Sequence, residues 1–273
     1  MELPINKETT LCISLAGNPS NFGTRFHNFL YKELGLNFIY KAFTTDDIES
    51  AVKGIRALGI RGCGVSMPFK EACIPYVDEI TESAKAIDSI NTIVNDNGYL
   101  KAYNTDYIAI YQLLKRNEIS PDTTFALKGS GGMAKAVACA LRDLGFKKGF
   151  IVARNDKKGK ALAEVSGFEW CSELCDTDIQ MLINATPVGM KDTKLAEQLS
   201  FSEEQIMSAE IIFDVVAKPS HTPLIKKAIE LEKINIRGSD VFAIQALEQF
   251  KLYTGVKPDK DQFAKASVYS RSE

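Results

Sequence analysis

The sequence contains little of what metal sites and disulfide frameworks require. Its 273 residues include only two histidines, one tryptophan and six cysteines. No two cysteines form a C-x-x-C pair, and the nearest two in the sequence, Cys171 and Cys175, have no histidine close to them. We therefore expect no zinc or other metal site, and we interpret most cysteines as small core residues in a reducing compartment.

Long apolar runs and an excess of one charge are also missing. The 33 basic and 35 acidic side chains give a formal net charge of −2, and no long basic run indicates a nucleic-acid partner. No apolar stretch approaches the roughly 20 residues that span a bilayer. The N-terminal residues lack the basic and apolar pattern of a secretory signal. We expect a cytoplasmic protein without a membrane partner, either a monomer or a homodimer.

Strand-like and helix-like segments alternate along the chain, which predicts an α/β protein. With 45% hydrophobic residues, the chain can form one large domain or two modest ones. A boundary near Asp106 divides it into residues 1–106 and 107–239, and we expect the helices of residues 240–273 to return to the first part.

The pattern predicts individual elements as follows. Strands are predicted at Thr10–Leu15, Phe38–Phe43, Gly64–Met67, Thr92–Val94, Tyr99–Tyr103, Thr124–Leu127, Gly149–Ala153, Met181–Asn184, Ile211–Val216 and Ile234–Arg237. Helices are predicted at Arg25–Leu34, Asp46–Leu58, Glu82–Ile87, Asp106–Arg116, Ala136–Leu141, Lys157–Ala163, Pro223–Glu232 and Val241–Tyr253. Asp96-Asn97-Gly98 predicts a hairpin turn between two of these strands.

A glycine-rich turn joins the predicted strand Thr124–Leu127 to a predicted helix. It has the G-x-G-x-x-G/A spacing of a dinucleotide-binding βαβ unit, which indicates a Rossmann-type domain with a parallel sheet. The first glycine makes the tight turn, the second lets the backbone approach a pyrophosphate, and helix N-terminal amides stabilise its charge. The predicted cofactor-binding residues here are Gly129, Ser130, Gly131, Gly132, Met133 and Ala134.

The residue after the second strand of this unit indicates which dinucleotide binds. Arg154 follows Gly149–Ala153, at the position that faces the adenosine ribose. An acidic residue there favours NAD, whereas the 2′-phosphate of NADP needs a cation such as a guanidinium. We predict NADP, bound by Arg154. Asp156 is a competing candidate for a ribose-binding carboxylate, although Asn155 or Asp156 is better interpreted as the cap of the next helix.

Six blocks, in this order and spacing, resemble the shikimate dehydrogenase family over nearly the whole chain. They are Gly64-Val65-Ser66-Met67-Pro68-Phe69-Lys70, Ser89-Ile90-Asn91-Thr92, Tyr103-Asn104-Thr105-Asp106, Gly129-Ser130-Gly131-Gly132, Ile183-Asn184-Ala185-Thr186-Pro187-Val188-Gly189-Met190, and Gln245 ahead of Phe250 to Gly255. Their combination is much more specific than the glycine-rich turn alone.

The resemblance implies an N-terminal α/β substrate domain, an NADP-binding Rossmann domain and a C-terminal helix that returns to the substrate side. It also implies interconversion of shikimate and 3-dehydroshikimate, a reaction of aromatic amino-acid biosynthesis. The matched positions are Lys70 and Asp106 for catalysis, Ser66, Asn91 and Gln245 for substrate binding, and Thr186 for the cofactor.

A Lys–Asp pair suits this chemistry, because a hydride leaves a secondary alcohol only if a proton also leaves its oxygen. Which of the two side chains takes the proton stays open, and the pair is treated as coupled. Taken alone, Lys70 would be interpreted as a solvated lysine and Asp106 as a helix N-cap.

The main departures from the family lie where it usually holds the substrate carboxylate with a Ser-x-Ser pair. After Gly17-Asn18-Pro19 the segment is about two residues shorter and lacks that pair. Arg25, Ser20 and Thr24 are candidate substitutes, although Arg25 can also be a surface cation. Further departures are Gly64, Ser66, Ala153, Ala217 and Tyr107, where the family usually has Asn, Thr, Asn, Tyr and Gly.

These departures predict a divergent, shikimate dehydrogenase-like member with reduced efficiency. Two alternatives stay open. One is a dehydrogenase for quinate or another hydroxylated cyclic carboxylate, and the other is a nucleotide-binding protein with little turnover.

Overall fold

The computed structural model describes residues 4–174 and 178–271. The chain forms two compact units. One contains the residues up to Thr105 together with those from Gln245 onward, and the other runs from Asp106 to Ile244. Over the described residues, each unit has its own six-stranded sheet.

The sheet of the first unit is mixed, in the order β2-β1-β3-β5-β6-β4. Its strands are β1 (Thr10–Leu15), β2 (Phe38–Phe43), β3 (Gly62–Val65), β4 (Glu79–Ile80), β5 (Thr92–Asp96) and β6 (Tyr99–Tyr103). Strand β1 runs parallel to β2 and β3, whereas β5 runs antiparallel to β3 and β6. The predicted hairpin is confirmed: Asn97 and Gly98 both have positive φ, as a two-residue type I′ turn requires.

Helices cover both faces of this sheet. They are α1 (Phe22–Glu33), α2 (Ile48–Ala57), α3 (Phe69–Ala72) and α4 (Glu82–Ile87), with a short 3-10 turn at Ile74–Tyr76. Because successive strand residues point to opposite faces, Cys12 packs with Phe26 of α1, whereas Ile13 packs with Val52 and Ile55 of α2. Asp47 begins α2 by accepting a hydrogen bond from the Ser50 backbone N–H at 2.9 Å.

The sheet of the second unit confirms the predicted Rossmann-type architecture. Its strands are β7 (Phe125–Lys128), β8 (Gly149–Val152), β9 (Glu169–Cys171), β10 (Met181–Asn184), β11 (Ile211–Asp214) and β12 (Ile234–Arg237). They lie in the order β12-β11-β10-β7-β8-β9, and every described pair is parallel. The strand order reverses at β7, so ligands are expected at the carboxyl end of this strand.

The remaining helices follow in chain order. They are α5 (Thr105–Arg116), α6 (Gly132–Asp143), α7 (Asp156–Ser166), α8 (Glu203–Ser208), α9 (Pro223–Glu230), α10 (Gly238–Thr254) and α11 (Lys260–Arg271). Strands β10 and β11 are fully buried, which explains their continuous apolar sequence. Helices α3, α8 and α11 and strands β4 and β9 were not predicted.

Several predicted boundaries were wrong. The helices expected at Arg25–Leu34, Ala136–Leu141 and Lys157–Ala163 are Phe22–Glu33, Gly132–Asp143 and Asp156–Ser166. The strand expected at Gly64–Met67 is Gly62–Val65, and the one expected at Ile211–Val216 ends at Asp214. The helix expected at Val241–Tyr253 begins at Gly238. Gly62 is a required glycine, because a Cβ there would lie 2.2 Å from the ring of Tyr253.

Among residues 4–174 and 178–271, no helix is long and apolar enough to cross a membrane. In the same part of the chain, no three His, Cys, Asp or Glu side chains cluster to hold a metal ion. Cys171 is half-buried, and Cys175 lies outside the described residues.

One histidine lies fully buried in the aromatic core of the first unit. The ring of His27 stacks on Tyr40, with centroids 4.4 Å apart. Burial lowers the pKa of His27 to about 3, and the Gln249 side chain only partly opposes this shift. The imidazole is therefore neutral in the folded protein at ordinary pH.

This burial predicts acid sensitivity. In the unfolded chain His27 takes up a proton below its usual pKa of 6.5, whereas the folded protein resists protonation down to about 3. Stability is therefore greatest above pH 6.5 and falls as the pH decreases. Between about pH 8 and about pH 5 the contribution of His27 to the free energy of unfolding should fall by about 2 kcal/mol.

The measurement is urea unfolding over this pH range for wild type and His27→Phe, which keeps a ring but cannot titrate. The free energy of unfolding of the variant should fall less steeply with decreasing pH than that of wild type. His221→Gln is the matched control, because His221 is exposed and its replacement should leave the slope unchanged. An identical slope in wild type and His27→Phe would rule out this origin.

Candidate functional site

The glycine-rich turn begins where β7 ends. Gly129 has φ of +129°, a conformation that side chains rarely adopt. A Cβ at this position would lie 2.8 Å from the carbonyl oxygen of Ala185. The backbone N–H of Ala185 also donates to the carbonyl of Lys128 at 2.8 Å. The turn is thus pressed against the segment after β10, and only glycine fits at its first position.

The helix behind this turn presents an open N-terminus. Gly131 precedes α6, and no side chain caps the helix. A Cβ on Gly131 would have no atom within 4 Å, so the space beside it is open. Ala134 is fully buried and lets the helix pack closely on the sheet. Free amide groups at the start of a helix bind anions, so the residues present fit a pyrophosphate.

The turn after β8 exposes several cations. Arg154, Lys157 and Lys158 are all exposed. Asn155 is confirmed as the cap of α7, because its side chain accepts a hydrogen bond from the Lys158 backbone N–H at 2.9 Å. Asp156 lies in the first turn of α7 and forms an ion pair with Lys160 at 3.5 Å.

A buried carboxylate organises the segment after β10. Asp214 accepts hydrogen bonds from the Asn184 amide at 3.0 Å, the Thr222 hydroxyl at 2.6 Å and the Val216 backbone N–H at 3.0 Å. Asn184 in turn accepts from the Thr186 hydroxyl at 2.6 Å and from its backbone N–H at 3.1 Å. Asp214 thereby fixes the position of Thr186 through the Asn184 amide.

The ionisation of Asp214 reflects a balance of burial and hydrogen bonds. Burial raises its pKa to about 6, while the bonds from Thr222, Val216 and Asn184 act in the opposite direction. Each of these partners donates to the carboxyl oxygens, so the network as described fits the ionised form. Sequence analysis missed Asp214; an acidic residue at the end of the apolar run Ile211–Asp214 was the available signal.

In the first unit, the segment after β3 carries Ser66 and Lys70. Ser66 is exposed and Lys70 is half-buried in α3. The Ser66 carbonyl accepts from the Phe69 backbone N–H at 2.9 Å, and the Lys70 carbonyl accepts from the Ile90 backbone N–H at 2.9 Å. These bonds hold the start of α3 next to the segment that leads through Asn91 into β5.

Asn91 is buried and its amide orientation is set by its neighbours. Its Oδ1 accepts from the Thr105 backbone N–H at 2.7 Å, the Thr105 hydroxyl at 3.0 Å and the Thr92 hydroxyl at 2.9 Å. With Oδ1 accepting these three bonds, any hydrogen bond that the Asn91 amide donates comes from Nδ2.

Two glutamines on α10, one helical turn apart, extend this network. The Thr105 hydroxyl also lies 3.4 Å from Oε1 of Gln245. Gln249 is buried and donates to the Asn91 carbonyl at 3.1 Å and to the Thr92 hydroxyl at 3.0 Å. Ser66, Lys70, Asn91 and Gln245 thus belong to one connected region of the first unit. Gln249 was missed, and its i, i+4 spacing from Gln245 was the available signal.

The space beside Gly64 explains one departure from the family pattern. A Cβ on Gly64 would lie 2.9 Å from the Tyr40 hydroxyl and 3.4 Å from Nε2 of Gln249. An asparagine at this position would displace both groups. The change to glycine is therefore coupled to Tyr40 and Gln249, which occupy the space that a longer side chain would need.

The remaining predicted residues have defined positions. Asp106 is buried in the first turn of α5, which begins at Thr105, so its interpretation as a helix N-cap is wrong. The Arg25 guanidinium lies over the ring of Tyr269 at 4.9 Å from its centroid. Gly132 and Met133 form the first turn of α6, and Ser130 precedes it.

Comparison with known proteins identifies the family. A model of the shikimate dehydrogenase substrate binding domain matches residues 21–93. The chain is 53% identical over 269 residues to a shikimate dehydrogenase-like protein of Haemophilus influenzae, covering 98% of this chain and 99% of that protein.

Two further relatives support the same family assignment. The shikimate dehydrogenase (NADP(+)) of Caldanaerobacter subterraneus is 35% identical over 268 residues, covering 93% of this chain and 95% of the relative. A solved shikimate dehydrogenase in complex with NADP⁺ superposes with a TM-score of 0.87 at 29% identity, covering 99% of this chain and 98% of that one. The resemblance inferred from the sequence is confirmed, and this chain belongs to the shikimate dehydrogenase family.

Proposed function

We propose that the protein is an NADP-dependent oxidoreductase that interconverts shikimate and 3-dehydroshikimate. The observation that carries this proposal is the open N-terminus of α6 behind Gly129, with exposed Arg154 after the next strand. Anion-binding amides followed by a cation suit a phosphorylated dinucleotide. Relatives that cover nearly the whole chain are named NADP-dependent shikimate dehydrogenases.

Within this proposal the two units have separate tasks. The residues up to about 106 and from about 240 onward bind the substrate, and residues 107–239 bind NADP. The cofactor-binding residues are Gly129, Ser130, Gly131, Gly132, Met133, Ala134, Arg154 and Thr186. NADP supplies the acceptor for the hydride that leaves the alcohol carbon.

The protein's own residues handle the proton and the substrate position. Lys70 and Asp106 act on the hydroxyl proton as a coupled pair. Asn91 donates through Nδ2, because its Oδ1 is held by Thr105 and Thr92. Ser66, Gln245 and Arg25 are assigned to the other polar groups of the substrate.

We further propose that turnover is reduced, because the Ser-x-Ser pair is missing. Another hydroxylated cyclic carboxylate, such as quinate, is the second candidate substrate. It is favoured by the altered side chains around Gly64, where Tyr40 and Gln249 fill the space of a longer residue.

A direct experiment tests this function. Shikimate, quinate and related hydroxy acids are each incubated with NADP and with NAD. The formation of NADPH or NADH is followed by absorbance. Reduction of NADP with shikimate supports the main proposal, and a strong preference for another acid supports the second. Dinucleotide binding without reduction of either cofactor by any acid would indicate a nucleotide-binding protein with little turnover.

Location and assembly are inferred from less direct features. We place the protein in the cytoplasm, because Cys12, Cys63, Cys73 and Cys139 are buried free thiols, which suits a reducing compartment. Its partners are small molecules rather than nucleic acid or membrane, and its assembly is a monomer or a homodimer.

Arg154→Ala should change cofactor preference. Loss of a charge-assisted contact to the 2′-phosphate should raise the Michaelis constant for NADP about tenfold or more and leave that for NAD nearly unchanged. Initial rates at varied cofactor concentration measure both constants. Arg116→Ala is the control, since Arg116 is an exposed arginine at the end of α5. Equal losses with NADP and NAD would contradict the assigned role.

A further inference from the structure

Lys128 is an ionisable residue at the end of an otherwise apolar strand. The three residues before it in β7 are buried, and Lys128 itself is half-buried. It lies opposite Val152 in the parallel pairing of β7 with β8, and Arg154 follows two residues later. If the chain stays extended past the end of β8, strands about 4.8 Å apart and a rise of about 3.3 Å per residue would place the Cα atoms of Lys128 and Arg154 roughly 8 Å apart.

The surroundings of the Lys128 ammonium do not neutralise it completely. Its Nζ donates to the carbonyl of Ser200 and lies 5.4 Å from the ring centroid of Phe201. A carbonyl and a ring face stabilise a cation without removing its charge, so a half-buried ammonium here still favours an anion.

Two charged groups act on this ammonium from neighbouring segments. Burial lowers the pKa of Lys128, the Glu173 carboxylate raises it, and the Arg154 guanidinium lowers it. Glu173 is exposed and lies in the turn after β9. The effect of Arg154 on this pKa means that its guanidinium lies near enough to repel the ammonium. An anion bound by both side chains would be attracted by both charges, and this attraction would offset their mutual repulsion.

We propose that Lys128 is a second cation for the 2′-phosphate of NADP, acting with Arg154 to select this cofactor over NAD. The inference rests on the proposed function. In a dinucleotide-binding unit the adenosine ribose lies beyond the end of the second strand, which here is β8. The 2′-phosphate is dianionic, and a lysine at the end of β7 adds a compact charge to the planar guanidinium of Arg154.

A structural role gives a different result. If Lys128 only anchored the Ser200 segment to the sheet, its loss would loosen that segment and weaken NADP and NAD to the same extent. If Lys128 instead selects for the 2′-phosphate, its loss should weaken the binding of NADP alone. The comparison of the two cofactors therefore separates the two roles.

The experiment is isothermal titration of NADP⁺ and NAD⁺ into wild type, Lys128→Met and Arg154→Ala. Methionine keeps an unbranched side chain against Phe201 and removes the charge. We expect Lys128→Met to weaken NADP⁺ binding about tenfold and to leave NAD⁺ within about twofold. Lys148→Met is the matched control, since Lys148 is exposed and directly precedes β8. It therefore lies at the amino ends of the parallel strands, whereas Lys128 lies at their carboxyl ends.

A second probe isolates the phosphate. 2′,5′-ADP and 5′-AMP differ only in the 2′-phosphate, so Lys128→Met should weaken the first and spare the second. Equal weakening of both, or of neither, would overturn the inference while leaving the proposed function intact. A wild-type protein that bound no dinucleotide would overturn both.

Discussion

Replacing Lys70 by alanine, or Asp106 by asparagine, is expected to lower turnover about a hundredfold or more, because general acid–base groups typically contribute 10²–10⁴-fold. Lys70 is positioned by α3, whose first turn is bonded to Ser66 and Ile90. Asp106 is buried in the first turn of α5. Initial rates with saturating shikimate and NADP measure the effect.

The two replacements should not act independently. If Lys70 and Asp106 form one proton-handling unit, the double variant should be little slower than the slower single variant. Lys53→Ala is the control, because Lys53 is exposed on α2 and pairs with Glu49 at 2.6 Å. Its turnover should match wild type. An active Lys70→Ala enzyme, or losses that multiply in the double variant, would contradict the assigned roles.

The parts of the fold that were predictable are those with strong local signals. The Asn97-Gly98 turn requires two positive φ angles, and Asn-Gly is the pair that adopts them most readily. The parallel sheet followed from a fully apolar strand entering a glycine-rich turn. In both cases a few adjacent residues determine the backbone, so tertiary packing is not needed to predict the element.

Other elements depend on contacts that sequence alone does not reveal. Strand β4 has two residues and exists only because β6 lies beside it. Helix α10 begins at Gly238, which would ordinarily indicate a helix stop. A Cβ at Gly238 would lie 2.3 Å from the Val215 carbonyl oxygen, so this glycine serves a close backbone approach. Such a requirement is visible only when both segments are placed.

The site shows the same division between local and distant causes. The candidate residues came from sequence blocks, but the groups that orient them are far away in the chain. Asn91 is held by Thr105 and by Gln249, and Thr186 is held through Asn184 by Asp214. Gln249 and Asp214 lie outside the sequence blocks, because their role is set by three-dimensional proximity.

Shikimate turnover is expected to be about a hundredfold or more below that of a family member with both serines, because an unpaired carboxylate contact costs about 1–3 kcal/mol for each missing group. A misplaced substrate also makes poor use of the catalytic pair. The measurement is kcat/KM for shikimate in parallel with such a family member. Equal values in the two enzymes would show that the shortened segment holds the carboxylate fully.

Arg25→Ala tests what replaces the serines. Arg25 is the only cation in residues 20–26, and its guanidinium lies 4.9 Å from the ring centroid of Tyr269. If this guanidinium binds the substrate carboxylate, Arg25→Ala should raise KM for shikimate about tenfold further, as expected for a charge-assisted contact. Lys32→Ala, at the exposed end of the same helix, is the control. If Arg25→Ala leaves KM unchanged, Arg25 does not bind the carboxylate, and the hydroxyls of Ser20 and Thr24 become the candidates.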